Sequence, residues 1–331
     1  MGERELLLKT AERIVKASVD LKSDDTVCIV TDIDKLTIAD ALASAARRVA
    51  AETVIVTMTP RKMHGNAPPR IVAGAMREAT VIFTPVTYAI THTEPFKEAL
   101  TAGARAIVLR GVTENMMIYG AINADYAEIR KSSEMLANVL RNASEILVES
   151  SFGTDLRMKV EGRPVFVLSG FAEKPGTFAA MPDGEVALSP VEGTATGIAV
   201  FDRSVDGVGA LTNPIRLDVE NGIVVNITGG HEAETLKRLM EEAGECGFNI
   251  AEFAIGTNPM ARLIGNLAED KKKEGTVHLA VGDNNSLGGK VMCNIHLDGL
   301  ITPPTVKADG KLIIDKGRIL WKYVQTLEGE E

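Results

Sequence analysis

The pattern of apolar positions changes character once along the chain. Up to about residue 148, compact apolar runs alternate with helical stripes. Thr26-Val-Cys-Ile-Val30, Thr53-Val-Ile-Val-Thr57, Thr80-Val-Ile-Phe83 and Ala106-Ile-Val-Leu109 are too short for helices and are apolar or small on both faces. Between them, Leu6, Ala11, Ile14 and Val15, then the Ala-rich residues 38–51, then Ile71, Val72 and Met76 recur at helical spacing. A further helix over 126–142 leads into Glu145-Ile-Leu-Val148. Strands buried on both faces and separated by helices predict a parallel, Rossmann-like α/β sheet over residues 1–148.

From 149 to 331 the runs are shorter and richer in glycine. Ile215-Arg-Leu-Asp-Val219 and Ile223-Val-Val-Asn-Ile227 flank Glu220-Asn-Gly222, a hairpin signal, and Asp309-Gly310 separates a second pair. One amphipathic helix spans His231 to Glu245. This half is predicted to be an α+β domain with a mixed or antiparallel sheet.

Composition narrows the function. Hydrophobic residues make up 45% and charged residues 24% of 331 positions, enough for two soluble domains. The net charge is −9, which argues against a nucleic-acid binder. The one basic run, Lys271-Lys272-Lys273, is flanked by Glu269, Asp270 and Glu274 and reads as a solvated loop. No apolar stretch is long enough to span a membrane and no signal peptide is evident, so a cytoplasmic protein is expected. Cys28, Cys246 and Cys293 have no paired spacing and predict no disulfide framework; Cys28 and Cys293 read as small core residues. The first strand–helix turn, Thr31 to Thr37, has no glycine, so no dinucleotide motif exists there, and Asp32 and Asp34 read as helix caps. No Gly-x-Ser-x-Gly elbow is present.

The candidate chemistry gathers in the second half. Val291 to Leu300 reads as a strand ending near Gly299, and side chains two apart on a strand share a face. His296 and Asp298 therefore aim an imidazole and a carboxylate into one space. His278 lies in a second strand-like run ending at Gly282, and Glu252 in a third ending at Gly256. Glu185 follows a Pro-Asp-Gly turn, with Asp183 as its competitor. Imidazoles and carboxylates without cysteine suit a divalent metal at the ends of a sheet. The loops after these strands offer Asn258, Asp283, Asn285 and Ser286 as hydrogen-bonding groups. His64 sits in a Pro/Gly-rich loop, His92 with Glu94 forms a possible second cluster at a helix start, and His231 begins a helix.

Pro182-Asp-Gly-Glu-Val186, Ala251-Glu-Phe-Ala-Ile-Gly256, Thr276-Val-His-Leu-Ala-Val-Gly282 and His296-Leu-Asp-Gly299 together resemble the aminopeptidase T-like metallopeptidase family. That family is similar to the 2,5-dihydroxypyridine dioxygenases. The resemblance implies that Glu185, Glu252, His278, His296 and Asp298 hold a dinuclear zinc or cobalt site, with Glu252 or Glu185 moving a proton during removal of N-terminal residues from peptides. Asn285 stands about where the peptidases carry a catalytic tyrosine. The dioxygenase branch implies instead one ferrous ion and a small aromatic substrate. Aligned to that branch, a histidine ligand falls near Glu252, a serine near Ala280 and an aspartate on Asp298, so Asp298 alone matches. A homodimer follows from the resemblance. The third reading is a non-catalytic protein in which the five residues form a buried polar network.

Overall fold

The computed structural model describes residues 2–91 and 93–328, with side chains of the last helix described through Val324. His92 therefore lies outside the described residues. The chain divides into two compact units: residues 1–124 with 169–183, and residues 125–168 with 184–331.

The first unit is a five-stranded parallel sheet. Its strands are Thr26–Asp32, Glu52–Met58, Val81–Val86, Arg105–Arg110 and Phe178–Ala180, in the spatial order second, first, third, fourth, fifth. The first four are the runs the sequence predicts. The fifth differs: residues 178–180 close the sheet, whereas Glu145–Ser150 belongs to the other unit. There it pairs antiparallel with Asp155–Lys159 and Pro304–Ala308. The units accordingly part at 124/125, with the helix Tyr126–Arg141 in the second unit, and not at 148/149 as the sequence pattern suggests. An apolar run that fills an antiparallel core looks the same in sequence as one that fills a parallel sheet.

A buried ion pair anchors the first unit. Arg105 donates two bonds of 2.6 Å to the Asp25 carboxylate and another, also 2.6 Å, to the carbonyl of Val19. The Thr80 hydroxyl and the Lys22 amide complete the shell of Asp25, each at 2.7 Å.

The second unit holds an eight-stranded and a seven-stranded sheet. Val148, Leu156, Ala199 and Phe201 of the first share one core with Val186, Leu188, Phe253, Ile255, Val277, Leu279 and Ile301 of the second. The packing is close where Phe201 meets Gly299: a Cβ on Gly299 would stand 2.3 Å from the ring. Gly299→Ala is therefore expected to overpack this contact and lower stability by about 1–3 kcal/mol, measurable as a shifted urea midpoint at unchanged slope. Among the described residues, no helix is long and apolar enough to cross a membrane.

Candidate metal centre

Four neighbouring strands of the seven-stranded sheet build the site: Glu185–Leu188, Ile250–Gly256, Val277–Gly282 and His296–Ile301. Alternation decides which side chains go where. Val186, Leu188, Phe253, Ile255, Val277, Leu279 and Ile301 turn into the core. Their neighbours Glu185, Glu252, His278, His296 and Asp298 must then share the opposite face. Register brings them level. Ala280 pairs with Glu252 on one side and Asp298 on the other, while His296 pairs with Gly282 and Glu185 with Gly256. Ala187, Ala254 and Ala280 lie between them, so the floor is made of methyl groups. The cluster thus sits on a sheet face, where the sequence suggested strand ends.

Distances show a single connected group. His296 Nε2 is 2.8 Å from Glu252 Oε2 and 3.2 Å from Asp298 Oδ1. His278 Nε2 is 3.3 Å from Glu252 Oε1 and 3.7 Å from Glu185 Oε2. Glu185 and His278 are 3% and 0% exposed, while the His296 ring is about a third exposed and opens the centre to solvent. Nδ1 of His296 donates to the Asp283 carbonyl at 2.7 Å, which fixes the ring and leaves Nε2 as the inward atom.

The largest departure from the sequence reading concerns the basic run. Lys272 is 3% exposed, and its Nζ lies 2.8 Å from Glu185 Oε1. Lys271 Nζ lies 2.7 Å from Asp298 Oδ2 and 3.8 Å from Glu185 Oε2. Both lysines belong to the site, not to a solvated loop. The reason is local. Gly256 has no Cβ, and one built there would stand 2.2 Å from the Lys273 carbonyl and 2.8 Å from that of Lys271, so the loop lies directly on the strand end. Asn258 N bonds the Lys272 carbonyl at 2.8 Å. Asp270 accepts from Ile264 N, Gly265 N and the Ser204 hydroxyl, which fixes the turn before the lysines.

Gly282 does the same for His296. Its φ is +108°, and a Cβ would stand 2.3 Å from the Ile295 carbonyl. Residues 291–295 are not strand, as the sequence suggested, but a loop pinned by buried Asn284 and by Asp283, which accept from Val291 N and Cys293 N. Asn284 also donates to Ser189 and Glu192. A disulfide between Cys246 and Cys293 closes the same segment, contrary to the expectation of no bridge and of a core Cys293. The 47-residue separation hides it from any spacing rule. Replacing both cysteines with serine is expected to lower stability by about 2–4 kcal/mol, read by urea unfolding without reductant.

Electrostatics follow from this packing. Burial alone would raise the Asp298 carboxyl, but Lys271 and the His296 ring outweigh it and hold it well below the usual range. Against the same burial, Lys271 and then Lys272 hold the Glu185 carboxyl down, and the two imidazoles hold Glu252 down. Burial opposes charge on His296, yet the Asp298 and Glu252 carboxylates beside its Nε2 raise it well above the ordinary imidazole value.

The donor set fits a divalent cation. Glu185, Glu252 and His278 form one group whose ligand atoms lie within 4.8 Å of one another, and Glu252, His296 and Asp298 form another. Glu185 Oε2, Asp298 Oδ1 and both ring nitrogens of His278 are buried without a hydrogen-bond partner. Buried polar atoms left so are costly, and an ion among them would satisfy the inward-facing ones.

The other candidates have different surroundings. Asp183 accepts from Gly170 N at 2.9 Å in the first unit. His64, also there, accepts from Ala89 N at 3.0 Å and meets the Tyr88 ring edge-on. His231 begins the helix His231–Ala243 on the surface. Asn285 and Ser286 are exposed, and Asn258 acts through its backbone on Lys272. Asp32 caps the short turn after its strand, as expected, and accepts from Thr87 N at 2.6 Å.

Known proteins add the family. The model for 2,5-dihydroxypyridine 5,6-dioxygenase, NicX, matches residues 8–321. The chain belongs to this family. The 2,5-dihydroxypyridine 5,6-dioxygenase of Pseudomonas putida KT2440 is 26% identical over 200 residues, 55% of this chain. That match spans 56% of the relative, about half its length. The solved 2,5-dihydroxypyridine dioxygenase structure from the same organism superposes with a TM-score of 0.81 at 19% identity, over 97% of this chain and 98% of the other. Wild-type AmpT from Thermus thermophilus superposes with a TM-score of 0.75 at 17% identity, over 96% and 100%. At these identities the NicX-family chain shares the fold of both.

Proposed function

We propose that this chain is a divalent-metal-dependent enzyme that opens the ring of a small hydroxylated aromatic with dioxygen. One observation carries the reading: the Nε2 atoms of His278 and His296 both converge on Glu252, at 3.3 and 2.8 Å. Two imidazoles and one carboxylate with open positions are the donor set of non-heme ferrous oxygenases. Membership in the dioxygenase family supports the same choice. A ferrous ion, when bound, supplies the one-electron chemistry that dioxygen requires. The protein's own part is to orient and exclude. Asp283 holds the His296 ring, and the alanine floor puts no bulky side chain among the five residues. Lys271, paired with Asp298 and Glu185, adds positive charge beside the cluster, which favours an anionic hydroxyl on the substrate.

The test is anaerobic loading with ferrous iron, followed by oxygen uptake with 2,5-dihydroxypyridine. Uptake matched by loss of the aromatic absorbance is expected. A second reading, hydrolysis of N-terminal residues from peptides with zinc or cobalt, is favoured by Glu185, a second inward carboxylate beside His278. A histidine–carboxylate set also serves hydrolytic zinc, and a carboxylate such as Glu252 or Glu185 can take the proton of the attacking water. Release of amine from an aminoacyl anilide with cobalt, and no oxygen uptake with iron, would select it. A homodimer belongs to the same proposal.

A further inference from the structure

We propose that the Cys246–Cys293 bridge is a reversible thiol switch on His296: its reduction frees the segments that hold His296 against Glu252 and weakens cation binding at the cluster. This goes beyond the metal-dependent reading above and rests on it. The bridge joins segments that are remote in sequence and adjacent at the site. Cys246 lies in the short turn Glu245–Phe248, ahead of the strand Ile250–Gly256 that carries Glu252. Cys293 lies three residues ahead of His296, in the loop pinned by Asp283 and Asn284. Both strands pair with Val277–Gly282, and both begin at its Gly282 end: Ile250 faces Val281, and His296 faces Gly282. The bridge therefore straps the two outer strands together across the end of the middle one. His296 and Glu252, whose side chains meet at 2.8 Å, come from those two outer strands.

The path from sulfur to imidazole is short. The Cys293 amide donates to the Asp283 carboxylate at 3.0 Å, and the carbonyl of the same Asp283 fixes the His296 ring at 2.7 Å. Movement of Cys293 thus reaches His296 through one residue. Noncovalent bonds keep both halves of the bridge near the sheet when it opens, so that it can close again. Asn249 donates to the Gly282 carbonyl at 3.0 Å, and Glu192 accepts from Asn284, Arg163 and the Lys290 amide. Both cysteines are partly exposed, beside exposed Glu245, Met292 and Asn294, which gives a small dithiol access to the sulfurs. The dithiol gives up two electrons and two protons and closes to its own disulfide, while the S–S bond breaks and Cys246 and Cys293 become thiols. Cys28 is buried in the first unit, its thiol pushed up to about 11 by burial, and stays out of this exchange.

The experiment compares redox states of the same full-length protein, stripped of metal with chelator. One portion is oxidised with oxidised glutathione, one is reduced with dithiothreitol, and one is reduced and then reoxidised. Each is desalted without air and titrated with cobalt(II) by calorimetry, and circular dichroism checks that it is folded. Thiols counted after denaturation are expected to number one in the oxidised protein and three in the reduced. Reduction is expected to weaken cobalt binding about 10–100-fold, the cost of losing support around a ligating histidine, and reoxidation to restore it. Cys246→Ser/Cys293→Ser is expected to bind as weakly as the reduced protein and to be indifferent to either treatment. A bridge that never forms, a bridge that dithiothreitol leaves intact, or unfolding on reduction would each overturn the switch. So would affinities within a few-fold of each other in the two states, with the metal reading left intact. No bound cobalt in any state would remove the metal reading itself, and this inference with it.

Discussion

Glu252→Gln is expected to abolish turnover and strip the centre of its ion. Glu252 is the carboxylate that both imidazoles share, and its two oxygens face His278 and His296 separately. The amide keeps the size but gives up the charge and one acceptor. Groups that only orient a ligand cost about 10–100-fold in affinity or activity when removed, so loss of the shared carboxylate is expected to exceed about a hundredfold. Equilibrium dialysis against cobalt or ferrous iron measures affinity, and turnover is followed in parallel. The variant should fold, since Glu252 lies on the polar face and its neighbours Phe253 and Ile255 hold the core. Affinity within a few-fold of wild type would show that the ion, if bound, lies elsewhere.

Arg105→Met is expected to have the largest effect on stability, about 3–5 kcal/mol, because it leaves a buried carboxylate without its cation. Asp25 and Arg105 have side chains only 9% and 10% exposed. Burial pushes the Asp25 carboxyl up, but the Lys22 amide, Thr80 and Arg105 outweigh it and lower it in the native protein. A lowered folded-state value gives stability that is present above the ordinary carboxylate range and lost as pH falls through the lowered value. Without Arg105 the balance turns toward burial, and the folded carboxyl takes up a proton more readily. The gap between variant and wild type should then narrow as pH falls from 7 toward 4. Urea midpoints across that range decide it, and a gap independent of pH would show that Asp25 is not the source.

The sequence reveals the parts of this molecule that follow from alternation. On the strand carrying His296 and Asp298, residues two apart must share a face, and they do. The same parity argument links Glu252 and His278 once their strands are neighbours. What alternation cannot reveal is how a loop lies on a sheet. Lys271 and Lys272, flanked by acids, have the pattern of a solvated turn, and the close approach of their loop to Gly256, with the Asn258–Lys272 bond and the Asp270 contacts, is not written in that pattern. Glu145–Ser150 has the composition of a buried strand in either kind of sheet, and its partners from 304–308 are far along the chain. The bridge from Cys246 to Cys293 is hidden for the same reason, since proximity there comes from folding.

The register of the four site strands has a consequence for how the centre forms. Glu185 and Asp298 are more than a hundred positions apart, yet they face the same Lys271. Contacts of such sequence separation close late and slowly, because the loops between them lose entropy first. The cluster is therefore assembled only when its strands have paired in correct register, for a slip by one residue would turn Glu252 or His278 into the core. Partly folded chains should show secondary structure before any competence for cobalt. The appearance of tight cobalt uptake during refolding would then time the last step of the second unit, with no label added.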